Sequence, residues 1–247
     1  MSKPFLILQL RPETEASDDE YQAFLDKGGL SRDDTHRIRL DQEDLPALDF
    51  SNYSGVIVGG GPGCVSDPVA TKDPIEARIE AQILAAMPQI TDNDVPFLGC
   101  CYGIGILGHH LNGDVSKERY GEDVGPSHCT QTEAGRGDPL LEGLPESFHA
   151  FVGHKEALQS LPAGVTQLLS SDPCPFQMIK YKQNIYATQF HPEADGAGFE
   201  LRIRLYKSKG YFPPEDADRL IDLCRSAQVD QPEKILRNFV QRYQTEA

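Results

Sequence analysis

The chain has 247 residues, 39% of them hydrophobic, enough for one large α/β domain or two small ones around a genuine core. Lys and Arg number 23 against 38 Asp and Glu, a formal charge of −15. A surface that acidic repels phosphate backbones and anionic lipid headgroups, so nucleic acid and membranes are excluded as natural partners. The acidity is spread along the chain and reads as a solubilising surface, not an interaction tail.

Cysteine usage narrows the setting. The six cysteines are scattered, with no CxxC pair and no cysteine–histidine spacing of the zinc-binding kind. The apolar run after Lys3-Pro4 is broken at Gln9, too soon for the core of a secretory leader. No run approaches the ~18 apolar residues of a membrane span. Free thiols in a reducing cytoplasm are the expectation, with no metal and no cofactor.

In chain order, Pro4 to Leu10 reads as a buried first strand, and Glu13 to Gly28 as a helix stopped by Gly28-Gly29. Thr35 to Leu40 alternates like a second strand, and Tyr53 to Val58 is a third that runs into Gly59-Gly60-Gly61-Pro62-Gly63. From Pro74 to Met87, Ile75, Ile79, Ile83 and Leu84 recur at helical spacing, with proline at the start where its missing N–H is harmless. Pro96-Phe97-Leu98 enters a strand that stops at Gly99, and Ile104 to Leu111 is the helix after it. The middle, roughly 115–194, is richer in strands, with Tyr181 to Phe190 the clearest pattern. From Pro214 the tail returns to helix, with Leu220, Leu223 and Cys224 on one face and Ile235, Leu236, Phe239 and Val240 on another. Strands alternating with helices predict an α/β, doubly wound, flavodoxin-like fold: a mainly parallel sheet with helices on both faces. Without linkers or repeats, a single domain over 1–247, carrying a helical extension from about 214, is the simpler account.

Three segments could carry chemistry. Gly99-Cys100-Cys101-Tyr102-Gly103 lies at a strand–helix junction, where a tight turn with small neighbours would expose a nucleophile. Cys100 belongs on the strand side facing the core, leaving Cys101 at the turn, where the helix N-terminus would lower the thiol pKa. Two buried core cysteines would be the plainer account. Gln189-Phe190-His191-Pro192-Glu193 follows an apolar strand; its imidazole could accept the thiol proton and its Glu193 could orient the ring. A solvated strand-end turn is the alternative there. The glycine loop at 59–63 lets backbone N–H groups approach an anion, either a phosphate or the oxyanion of a tetrahedral intermediate. It lacks the Gly-Lys-Ser/Thr ending of a Walker A loop and the third glycine of a dinucleotide fingerprint. A flexible turn would also account for it.

Taken together, these segments resemble the class I (triad-type) glutamine amidotransferases, best of all their free-standing members similar to the GMP synthase glutaminase domain. Leu98-Gly99-Cys100-Cys101-Tyr102-Gly103, Ala187-Thr188-Gln189-Phe190-His191-Pro192-Glu193 and Gly60-Gly61-Pro62-Gly63 match the family's nucleophile, His-Pro-Glu and oxyanion segments in order and spacing. Asp138-Pro139-Leu140 and Gly153-His154-Lys155-Glu156 fall where the family builds its glutamine pocket. The resemblance implies Cys101 as nucleophile, His191 as base then acid, and Glu193 as its orienting partner. It further implies an oxyanion hole from the N–H groups of Gly61 and Tyr102. Gly63, Gly153, His154, Lys155 and Glu156 would line the substrate pocket.

Two positions depart from that pattern. The family's substrate-binding glutamine is replaced by Gly105, and the small residue after the pocket histidine is Lys155. A glycine inside a helix costs about 1 kcal/mol relative to alanine, so altered packing or a wider pocket is expected. The resemblance then implies hydrolysis of glutamine or another γ-glutamyl amide through a cysteine thioester, releasing ammonia or an amine. With no nucleotide-binding motif in the chain, a separate ammonia-accepting synthetase is the expected partner, unless hydrolysis is itself the function. The alternatives are a γ-glutamyl peptide hydrolase, a silent binding subunit that keeps the fold, and a cysteine hydrolase working without His-Pro-Glu. The other histidines, His36, His109, His110, His128 and His149, read as structural or surface residues.

Overall fold

The computed structural model describes residues 3–244. The chain runs β1 (Phe5–Gln9), α1 (Thr14–Gly28), β2 (Thr35–Arg39), β3 (Gly55–Val58), α2 (Pro74–Asp92), β4 (Phe97–Cys100), α3 (Tyr102–His110) and β5 (Val115–Ser116). It continues through β6 (Glu122–Gln131), β7 (Ser147–His154), β8 (Ala157–Leu158), β9 (Val165–Ser170), β10 (Met178–Tyr181) and β11 (Ile185–Thr188). Helices α4 (Gly196–Tyr206), α5 (Ala217–Ser226) and α6 (Glu233–Tyr243) complete it.

Nine strands form one sheet in the order β2-β1-β3-β4-β11-β10-β9-β6-β7. Its first five members pair in parallel, and every pairing from β11 through β10, β9 and β6 to β7 is antiparallel. The doubly wound portion is thus one half of a mixed sheet, and the strand-rich middle of the sequence supplies the other half. Period-two alternation divides the core. Phe5 and Ile7 of β1 face α1 and α6, whereas Leu6 and Leu8 face α2 and α3.

Local chemistry explains most element ends. Gly29 takes the left-handed conformation (φ 71°) and its N–H closes on Leu25 O, stopping α1 where a Cβ would be strained. Asp73 caps α2 by accepting the Ile75 N–H, with Pro74 in the first turn. That helix runs on past Pro88 to Asp92 because Met87 and Ile90 are buried, and its inward face is Ile79, Ile83, Met87 and Ile90, with Ile75 left exposed. The pattern at Tyr181 to Phe190 is a hairpin rather than one strand: β10 turns at Lys182 (φ 54°) into β11. In α5 the buried face is Leu220, Ile221 and Cys224, while Leu223 points to solvent.

The C-terminal helices are built into the molecule at two different places. Helix α5 joins α4, Val124 and Phe151 in a core cluster on the antiparallel side. Helix α6 packs on α1, its Phe239 ring 6.1 Å from Phe5 and 4.9 Å from Tyr243. Among the described residues no helix is long and apolar enough to cross a membrane. Because Phe239 is fully buried between strand and helix, Phe239→Ala is expected to destabilise the fold by about 3–5 kcal/mol, seen as a lowered denaturation midpoint.

Candidate active site

Strands β3, β4 and β11 lie side by side in parallel, so the loops after them open on one edge of the sheet. Those loops are the glycine segment after Val58, the turn at Cys101 and the His191 segment. The edge is tied together by Cys101 N–H donating to Thr188 O at 2.8 Å. His191 N–H donates to Phe151 O at 3.0 Å, so the antiparallel half curls back to meet the loop after β11.

Cys101 sits between β4 and α3 with φ 52° and ψ −93°, a region that costs a non-glycine residue of order 1–3 kcal/mol. The turn is possible because Gly99 has no side chain: a Cβ there would stand 3.0 Å from the Gly103 backbone. Cys100 is fully buried in the core cluster beneath α1. His191 Nδ1 lies 2.9 Å from Glu193 Oε1, and Arg202 Nη2 donates to the same oxygen at 2.9 Å. A carboxylate at Nδ1 requires a proton there, which leaves the Nε2 lone pair free. The imidazole packs edge-on against Phe199, whose own ring stacks on Phe151.

The glycine loop is held from beneath. Gly59 N–H goes to Leu8 O and Gly60 N–H to Glu20 Oε1. Among the described residues no protein acceptor takes the N–H of Gly61 or of Tyr102. The Tyr102 side chain fills the space under the loop: a Cβ at Gly63 would lie 2.9 Å from its hydroxyl, which donates to Glu80.

Two cavities meet at Cys101, with Gly61, Gly153 and Tyr211 also common to both. One is lined by Gly63, Tyr102, Gly105, His154, Lys155 and Glu156. The other, a narrow crevice, holds His191, Arg11 and Arg202 among aromatic walls. Every residue singled out from sequence as nucleophile, oxyanion donor or pocket lining therefore borders one or both of these spaces; His191 borders the second, and Glu193 lies buried behind it.

Electrostatics differ from the expectation at the elbow. Burial, with Glu193 adding to it, pushes the Cys101 thiol up to about 12 against the downward pull of Arg11 and Arg202. The expected lowering is outweighed, because a residue only 7% exposed has lost the water that would solvate a thiolate. Burial also lowers the His191 pKa, with Glu193 opposing and Arg202 adding to the fall. Glu193 is driven the other way: burial would raise its pKa, but His191 and Arg202 hold the carboxyl below its ordinary range. The resting pair is a neutral thiol beside a neutral imidazole.

The pocket residues have more specific jobs than lining. Glu156 accepts Val65 N–H at 2.8 Å and the N–H and hydroxyl of Ser66 at 2.9 and 2.7 Å, so it anchors the loop beyond Gly63. A Cβ at Gly105 would stand 2.9 Å from Glu156 Oε1; the glycine makes room for this carboxylate and does not widen the pocket. His154 is held by Glu156 O at Nδ1 and Glu122 at Nε2. Lys155 donates to Lys209 O and lies over the Tyr211 ring, 4.2 Å from its centroid. Tyr211 in turn donates to Pro62 O, so the segment at 207–213 is strapped across the glycine loop.

Four contributors escaped the reading of the sequence: Arg11, Glu20, Arg202 and Tyr211. Two left a signal, since Glu20 interrupts the buried stripe of α1 and Arg202 that of α4. Arg11 donates to Glu20 at 2.8 Å and to Tyr206 at 3.0 Å. The Nε and Nη1 atoms of Arg202 are buried without an acceptor, a cost of about 1–3 kcal/mol per unpaired group. A separate cluster brings ligand-type atoms of Glu122, His154 and Cys174 within 4.8 Å, although Ser127, Gln177 and the Glu156 carbonyl already engage its carboxylate and imidazole. Of the remaining histidines, His128 and His149 pack against each other across β6 and β7, His36 bonds Tyr53 and His110 bonds Thr91.

Since Glu156 cannot retreat without releasing three donors, Gly105→Ala is expected to cost about 1–3 kcal/mol by overpacking. Hydrogen exchange at the Val65 and Ser66 amides should quicken in that variant.

The same architecture occurs in solved structures. A glutamine amidotransferase from Thermotoga maritima aligns with a TM-score of 0.75 at 17% identity, covering 98% of each chain. A glutamine amido transferase from Methylobacillus flagellatus aligns at 0.70 and 19%, covering all of this chain and 98% of the other. Among curated sequences, GMP synthase [glutamine-hydrolyzing] of Thermosipho melanesiensis is 31% identical over 153 residues, 62% of this chain and 26% of that protein. The enzyme of the same name from Lactobacillus delbrueckii subsp. bulgaricus is 33% identical over 150 residues, 60% of this chain and again 26% of its own length. The chain thus matches about a quarter of the length of these relatives. Residues 19–203, which include the elbow and the His-Pro-Glu segment, match the family described as glutamine amidotransferase class-I, and the chain belongs to that family.

Proposed function

We propose that this chain hydrolyses a γ-glutamyl amide, glutamine being the simplest, through a thioester on Cys101. The observation that carries the reading is the Glu193-bound His191 ring bordering the same cavity as the strained Cys101, with Gly61 on that cavity as well. His191 Nε2 takes the thiol proton as sulfur attacks the γ-carbonyl carbon, and the oxyanion is received by the N–H groups of Gly61 and Tyr102. The C–N bond breaks as His191 returns the proton to the departing amine. Water, deprotonated by His191, then cleaves the thioester to glutamate and regenerates the thiol. The cavity with Gly63, Gly153 and Glu156 would hold the α-amino and carboxylate end.

Within this reading residues 1–247 act as one unit. Ammonia released from glutamine would pass to a separate synthetase. Support comes from the GMP synthase relatives, most of whose length lies outside the matched part. Six free, buried cysteines suit a reducing cytoplasm.

A diazo-ketone analogue of glutamine should label the wild type and Cys100→Ala but not Cys101→Ala, read by mass spectrometry; labelling that follows Cys100 would overturn the assignment. Glu193→Gln removes the acceptor that fixes the ring and should lower kcat by about 10²–10⁴-fold. The base form of His191 is needed, and its pKa is lowered by burial. Activity should therefore persist as pH falls through the ordinary imidazole value of about 6.5 and be lost only below it, which a kcat/KM profile checks.

A further inference from the structure

Glu20 stands where a helix buries apolar side chains. It shares the inward face of α1 with Ala16, Tyr21, Phe24 and Leu25, and it is fully buried. A buried carboxylate is costly unless it is both paired and hydrogen-bonded. Oε1 accepts Arg11 Nε at 2.8 Å and the Gly60 N–H at 3.0 Å, and Oε2 accepts Gln9 Nε2 at 3.2 Å. The bond from Gly60 ties α1 to the loop after β3, 40 residues further along the chain.

The loop is shaped around that carboxylate. A Cβ on Gly59 would collide with it, and one on Gly60 would stand 2.6 Å from both Arg11 Nη2 and His191 Cε1. Glycine at 59 and 60 is thus required by Glu20, Arg11 and the imidazole, before any substrate is considered. An oxygen of Glu20, an oxygen of Glu193 and a ring nitrogen of His191 lie within 4.8 Å of one another, so Glu20 also helps to space the loop from the ring. Gly59 N–H is fixed to Leu8 O and Gly60 N–H to Glu20. The Gly61 N–H comes next along the chain, and its direction is inherited from these two anchors.

We infer that Glu20 is a positioning residue for the reaction: by holding the Gly60 N–H it aims the Gly61 N–H at the oxyanion, without itself touching substrate. The inference rests on the thioester reading and adds to it a residue from α1. Donors aimed in advance at developing charge act in the transition state. Misplacing one therefore costs kcat and leaves the binding of the ground state nearly intact.

Two variants of the full chain separate the hydrogen bond from the charge. Glu20→Gln keeps an oxygen that can accept the Gly60 N–H but carries no charge. Glu20→Asp keeps a charge for Arg11 but is one methylene too short to reach Gly60. Glutamate release from glutamine is measured for both and for the wild type, with diazo-ketone labelling of Cys101 and hydrogen exchange at the Gly60 amide. Glu20→Asp is expected to lower kcat by about tenfold to a hundredfold, less than outright removal of an oxyanion donor, with KM within about threefold of wild type. Glu20→Gln should recover most of that kcat, and Gly60 should exchange slowly in the wild type. Wild-type kcat in Glu20→Asp, a change confined to KM, or Glu20→Gln no better than Glu20→Asp would overturn the role. Fast exchange at Gly60 in the wild type would overturn it without recourse to either variant. No glutamate from the wild type, with Cys101 unlabelled, would sink the thioester reading itself, whereas an active wild type with unaffected variants removes Glu20 alone.

Discussion

A parallel ladder makes neighbouring strands end on the same edge, and the pairing of β11 beside β4 applies that constraint where it matters. Thr188 stands opposite Cys100, and the Cys101 N–H bonds to Thr188 O. A thiol and an imidazole far apart in sequence are thereby delivered to a common edge by backbone hydrogen bonds alone. With β3 on the other side of β4, the glycine loop arrives at the same place. Had β11 paired antiparallel to β4, as β10 pairs to β11, His191 would have been carried to the opposite end of the sheet.

Two buried ion pairs then set the working parts. Glu20, held by Arg11, fixes the Gly60 N–H, and Glu193, held by Arg202, fixes the His191 ring. Removing one partner from a buried pair leaves an uncompensated charge and costs about 3–5 kcal/mol, so each arrangement resists distortion. Their electrostatic effect is also consistent. Burial holds the thiol protonated and the imidazole neutral, and the carboxylate behind the ring stays ionised.

The two departures from the family pattern belong to a wider local rearrangement. Gly105 vacates space that the Glu156 carboxylate fills, and that carboxylate secures the loop through Val65 and Ser66. Lys155 reaches the backbone of Lys209 and the ring of Tyr211, whose hydroxyl is bound to Pro62 O. Each substitution trades a small or amide-bearing group for a tether, and both tethers act on the glycine loop. The second also turns Tyr211 and Phe212 toward the sulfur, giving the site an aromatic roof from the chain after α4.

Alternation and helical spacing by themselves determined the parallel half of the sheet, because β1, β3 and β4 are continuous apolar runs bounded by glycine or proline. The elbow at Cys101 and the His191–Glu193 pair were legible only together, through the order and spacing in which they resemble the family's segments; each alone also fitted a plain turn. Tertiary structure alone decided the antiparallel half, whose strands β6, β7, β9 and β10 take their pairing from distant neighbours and carry little local preference. It also decided the roles of Arg11, Glu20, Arg202 and Tyr211, since a charge or hydroxyl becomes a positioning group only when folding removes its water and supplies a partner from another element. The height of the Cys101 pKa has the same origin: the turn is local, but the desolvation that outweighs it comes from everything packed around it.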